Sequence, residues 1–100
     1  MCDCKHEHQN DLTNATQDMT RALNSLIEEL EAVDWYNQRV DACDDEELAA
    51  ILAHNRDEEK EHAAMLLEWI RRQDPIFGHE LKNYLFTEGS LADLEHEHHE

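Results

Sequence analysis

A chain of 100 residues with 40% hydrophobic content can build one small domain and buries only a marginal core alone, so association with a second copy would relieve a shortage of buried surface. The formal net charge of −17 repels nucleic acid and anionic membrane surfaces and attracts cations, although an acidic surface also serves plain solubility. No apolar run approaches the roughly 20 residues that span a bilayer, and Met1-Cys2-Asp3-Cys4 carries no secretory pattern, so the expected location is the cytoplasm.

Two glycines and one proline leave few turning points, and an all-α fold is expected. Residues 1–10 are polar and aperiodic and read as a disordered N-terminal arm. Its Cys2-x-Cys4-x-His6-x-His8 pattern offers soft-metal ligands at a spacing that fits no compact zinc motif. Three cysteines, two of them in this arm, argue against a disulfide framework.

From Leu12 onward, Ala15, Met19, Ala22, Leu23, Leu26, Ile27, Leu30 and Val33 recur at steps of three and four, predicting a helix over about residues 12–40. Asp44-Asp45-Glu46-Glu47 supplies an N-cap, with Glu47 three positions beyond Asp44, and starts a second helix. That helix runs through Leu48, Leu52, Leu66, Trp69 and Ile70 until Asp74-Pro75, because a residue before proline disfavours the α conformation. Pro75 suits the first position of a short third helix capped by Asp74, with Phe77, Leu81, Tyr84 and Leu85 as its stripe and Gly89 as its closing residue. Residues 11–89 thus form a helical-hairpin domain. Residues 90–100 read as a flexible C-terminal tail whose His/Glu-rich end is either native sequence or part of an expression tag.

The second helix carries the chemistry. His54 to His62 is a run of nine residues without an apolar side chain, yet it lies on the seam Leu48, Leu52, Asn55, Glu59, His62, Leu66, Trp69. Glu59 and His62 form a Glu-x-x-His pair, which puts a carboxylate and an imidazole on one helix face. Buried without partners these groups would be costly, so a metal, an ion pair or water must meet them. Counting outward from a turn near Asp41 to Cys43 brings Glu29, at the edge of the first helix's apolar stripe, level with Glu59.

One Glu plus one Glu-x-x-His is half of the ligand set of a di-iron carboxylate bundle. The other half implies a two-fold homodimer in which two hairpins form a ferritin-like four-helix bundle. Carboxylate-rich ligands with one imidazole and no thiolate suit iron or manganese, and Zn2+ or Ca2+ are possible substitutes. The plain alternative is that Glu59 and His62 belong to a solvated charge run. Cys43 and Trp69 are read as turn and core residues.

The blocks Glu28-Glu29-Leu30-Glu31-Ala32-Val33-Asp34-Trp35-Tyr36, Ile51 through Ala63, and Tyr84-Leu85-Phe86-Thr87-Glu88-Gly89 closely resemble the encapsulated ferritins, small ferritin-like proteins packaged inside encapsulin nanocompartments. The resemblance implies a ferroxidase that oxidises Fe2+ to Fe3+ with O2 at a di-iron centre between two subunits, with Glu29, Glu59 and His62 as metal and catalytic residues. It further implies a ring of dimers, typically a homodecamer, that supplies iron for storage inside an encapsulin shell. Glu28, Glu31 and Trp35 resemble the family's secondary metal positions, Tyr36 is a possible hydrogen-bond donor behind the ligands, and His54, Glu58 and Glu61 resemble a further iron-associated cluster. After Gly89 the chain shows no clear apolar and basic encapsulin-targeting motif. The reading from a different class is a non-catalytic protein that binds or buffers a divalent metal through the same ligands.

Overall fold

The computed structural model describes residues 6–98. Among them it has a 3-10 turn, Gln9–Asp11, four α-helices, and no strand: α1 (Asn14–Ala42), α2 (Glu46–Gln73), α3 (Pro75–Tyr84) and α4 (Leu91–His98). Cys2 and Cys4 lie outside the described residues. The chain divides into two compact units between Leu67 and Glu68, and α2 contributes to both. No described helix is long and apolar enough to cross a membrane.

The first unit is the hairpin of α1 and the first part of α2. Thr13 caps α1, its hydroxyl oxygen accepting from the Thr16 N–H at 3.1 Å. The Gln17 amide donates to the carbonyls of Gln9 and Leu12 at 3.3 and 3.0 Å, which holds the 3-10 turn on the start of α1. Ordered chain therefore includes Gln9 and Asn10, which the sequence reading had put in the arm.

At the hairpin turn, Asp45 Oδ1 accepts from the Leu48 N–H at 2.8 Å and the Asp45 carbonyl accepts from Ala49 at 2.9 Å. The cap is thus one residue later than the Asp44–Glu47 pairing expected, because the first helical residue is Glu46 and the third N–H belongs to Leu48. Cys43 is a turn residue, its thiol 3.5 Å from the Asp45 carbonyl.

The helices run antiparallel. Arg56 meets Asn37 at 3.0 Å, and one step further from the turn His62 meets Glu29 at 3.5 Å. Their facing surfaces are built from Ala22, Leu26, Glu29, Ala32, Val33 and Tyr36 on α1 and Leu52, Ala53, Arg56, Glu59 and Ala63 on α2, all buried or half-buried. One facing helix covers only part of the broad α1 stripe. Its other flank, Leu23, Ile27 and Leu30, stays 38%, 52% and 54% exposed, and so do Leu48, Ile51 and Met65 on α2. Glu29, expected at an edge, is therefore central to the surface that faces α2.

In the second unit, Ile70 is fully buried. Asp74 caps α3 by accepting from Ile76 and Phe77 at 3.0 and 2.9 Å, with Pro75 in the first position as expected. A Cβ on Gly78 would stand 3.1 Å from the Arg71 carbonyl oxygen, so glycine permits this approach. Trp69, expected in the core, is 37% exposed. The third helix ends at Tyr84 with Leu85 extended, earlier than the predicted closure at Gly89, and the Thr87 hydroxyl donates to the Tyr84 carbonyl. Gly89, at φ 90°, instead serves the turn into α4, where the Ser90 carbonyl accepts from Leu94 at 3.0 Å. The expected tail is thus a helix over Leu91–His98, in contact with α3.

Glu68 receives Arg71 at 2.6 and 2.7 Å and Arg72 at 2.7 Å, and these bonds hold its carboxyl down at about 2. A depressed carboxylate stabilises the fold above its unfolded value and loses that contribution as pH falls through the folded value. Thermal unfolding followed by circular dichroism should therefore separate wild type from Glu68→Gln at pH 7, with the gap closing between about pH 4.5 and pH 2. Because Glu68 is 42% exposed, high salt should shrink the gap too.

Candidate metal centre

The hairpin register brings three ligand-type side chains together. Glu29, Glu59 and His62 each offer one atom, and these atoms lie within 4.8 Å of one another. His62 Nδ1 stands 3.5 Å from Glu29 Oε2 and 3.5 Å from Glu59 Oε2, beyond good hydrogen-bond length. Both carboxylates are mostly buried, at 24% exposure, and His62 is half-exposed. Glu29 Oε2 is buried and has no hydrogen-bond partner.

Two acids and a base share this small volume, and their charges are mutually set. Hydrogen bonding to Glu59, then desolvation and the Glu59 charge, push the Glu29 carboxyl up, while His62 draws it partly back. Desolvation draws the His62 imidazole down, but the charges of Glu29 and Glu59 outweigh it and the net shift is upward. A cation bound here would compete with protons for these hard donors. An orphaned buried oxygen, a second carboxylate and an imidazole form the donor set that iron, manganese or zinc accepts. The residues fit a divalent cation, and Glu29, Glu59 and His62 are the ones that would hold it.

The other expected positions do not join this group. Glu28, Glu31 and Trp35 share an exposed face of α1, with Trp35 53% exposed. His54 and Glu58 form an exposed contact at 3.5 Å, and Glu61 is exposed nearby on α2. Tyr36 is half-buried with the Arg39 guanidinium 5.4 Å from its ring centroid, and it makes no hydrogen bond to Glu29 Oε2. Sequence reasoning missed Arg56, which crosses the hairpin to Asn37 one turn from Glu59. The signal available was an arginine on the buried face of a seam, at 22% exposure.

The chain is similar to several known proteins. The chain is 60% identical over 90 residues to the encapsulated ferritin-like protein of Rhodospirillum rubrum, a match that covers 90% of this chain and 64% of that protein. It is 46% identical over 59 residues to the encapsulin nanocompartment cargo protein EncC of Myxococcus xanthus, covering 58% of this chain and 45% of that protein. The chain thus spans less than two thirds of the length of these two relatives. The crystal structure of a Nitrosomonas europaea protein superposes with a TM-score of 0.86 at 68% identity, over 90% of this chain and 99% of that one. Residues 4–88 match the EncFtn-like family across both long helices and α3, and the chain belongs to that family.

Proposed function

We propose that the protein is a ferroxidase, binding Fe2+ as substrate through Glu29, Glu59 and His62 and oxidising it to Fe3+ with O2 at a di-iron carboxylate centre shared by two subunits. The observation that carries the reading is the Glu29, Glu59 and His62 group with its orphaned Glu29 oxygen. Carboxylates are hard anionic donors that favour Fe3+ over Fe2+, so the site lowers the cost of losing an electron to O2. Three protein ligands leave coordination positions open. A second copy facing the first would add its own three and cover the apolar flank of Leu23, Ile27 and Leu30.

The two curated relatives are named as an encapsulated protein and as an encapsulin cargo protein. We infer from these names that the chain works inside an encapsulin shell and delivers Fe3+ for storage there; the ring of dimers, typically a decamer, is what the family resemblance implies. Glu28 and Glu31, exposed beside Trp35, would attract cations toward the ring.

Because a single chain already gathers three ligand atoms, a non-catalytic metal buffer is the competing reading. Stopped-flow near-ultraviolet absorbance after mixing metal-free protein with Fe2+ and O2, titrated in iron, separates the two. A rapid phase saturating near about one iron per chain, matched by O2 consumption, is expected for two irons shared by two chains. Iron that binds but oxidises no faster than in buffer would put the buffer reading first.

A further inference from the structure

The face between α1 and α2 has few directional contacts among its described residues. Ala22, Ala32, Ala53 and Ala63 supply small side chains among Leu26, Val33, Tyr36 and Leu52, and apolar contacts of this kind are non-directional. The three-residue connection between α1 and α2 fixes the coarse register, and a residual shift of about 1 Å between the helices would still misplace Glu29 against His62. Something directional must oppose it.

Outside the ligand group, one side-chain hydrogen bond joins described residues of α1 and α2: Arg56 Nη1 donates to Asn37 Oδ1 at 3.0 Å. The same guanidinium is braced on its own helix, Nε donating to Asp57 Oδ1 at 3.1 Å. At 22% exposure Arg56 lies in the interhelical face three residues before Glu59, while the exposed Asn37 lies two turns past Glu29. We propose that the Arg56–Asn37 bridge is a positioning device that fixes the fine register of α1 against α2 and so holds Glu29 in place against Glu59 and His62.

The role is geometric rather than electrostatic. The charge of Arg56 is met by Asp57, whose carboxyl it draws down together with Lys60, whereas the groups that act on Glu29 are Glu59 and His62. A forked, planar donor can hold Asn37 and Asp57 together, and a lysine cannot reproduce that arrangement.

The proposal rests on the metal-site reading, and Co2+ serves as a probe that tests both without turnover. Wild type, Asn37→Ala, Asn37→Asp, Arg56→Lys and Glu59→Ala would be titrated with Co2+ by visible absorption, and the metal-free helices followed by circular dichroism. The difference from Glu59→Ala isolates this site from the chain's other histidines. Asn37→Ala should bind Co2+ on the order of tenfold more weakly, the size of effect of a residue that acts on a site without touching its ligands, with metal-free helix content unchanged. Arg56→Lys should lose affinity alike despite keeping the charge, and Asn37→Asp, which still accepts from the guanidinium, should stay within about threefold of wild type. Wild-type affinity in Asn37→Ala alongside lost affinity in Glu59→Ala overturns the bridge alone. Full affinity in Arg56→Lys, or lost helix content in metal-free Asn37→Ala, also overturns it. Wild-type binding by Glu59→Ala brings down the site reading and the bridge with it.

Discussion

Glu59→Ala should abolish the rapid phase of Fe2+ oxidation while leaving the hairpin folded. Glu59 is one of three ligand-type residues whose donor atoms lie within 4.8 Å of one another, and its neighbour Glu58 points about 100° away around the helix and cannot take its place. Loss of an outer-shell partner typically costs 10 to 100-fold in metal affinity or activity, and loss of a ligand should exceed that, so a fall on the order of 100-fold or more is expected. Full retention of the rapid phase in this variant would remove Glu59 from the site.

The same substitution separates function from stability. Hydrogen bonding to Glu59 and then the Glu59 charge raise the Glu29 carboxyl, so the metal-free protein holds Glu29 less readily as the anion. Metal-free Glu59→Ala should unfold no earlier than wild type. Added divalent metal at about 100 times its dissociation constant should stabilise wild type by about 2.7 kcal/mol and the variant by far less. A thermal scan with and without metal thus distinguishes a lost ligand from a damaged fold.

How far the sequence discloses such a site depends on the range of the interactions involved. Pro75 and Asp74 are legible because proline and a capping aspartate act on their own neighbours, and the structure has them where they were placed. Glu29, Glu59 and His62 were legible because helical spacing converts sequence distance into height along the hairpin, even though the cap moved from Asp44 to Asp45. Helix α4 was hidden because its apolar residues Leu91 and Leu94 sit among histidines and glutamates, and the element it contacts is α3. The bridge from Arg56 to Asn37 was likewise invisible, since which acceptor an arginine reaches across a hairpin is decided by register and rotamer. Glu28, Glu31, Trp35, His54, Glu58 and Glu61 are legible as polar or amphipathic positions on exposed faces, and nothing within one chain gathers them to the three-residue group.

If the proposed assembly forms through this flank, Ile27→Asp should yield single chains and remove the rapid phase with the assembly. Ile27 is 52% exposed at the centre of the flank formed with Leu23 and Leu30, on the surface of α1 that α2 leaves uncovered. Full burial of such a side chain against a second copy is worth about 1.5 to 3 kcal/mol. In a two-fold contact the loss occurs twice, and a carboxylate buried there without a partner costs several kcal/mol more. A weakening of more than about a thousandfold follows, since each 1.4 kcal/mol is tenfold. Light scattering coupled to size exclusion should read one chain where wild type reads several, and circular dichroism should show the helices retained, because position 27 faces away from α2 within its own chain. The three ligand residues remain untouched in this variant. Fe2+ binding with no rapid oxidation would therefore locate the activity between subunits, whereas a monomer that still oxidises iron rapidly would place a sufficient centre within a single hairpin.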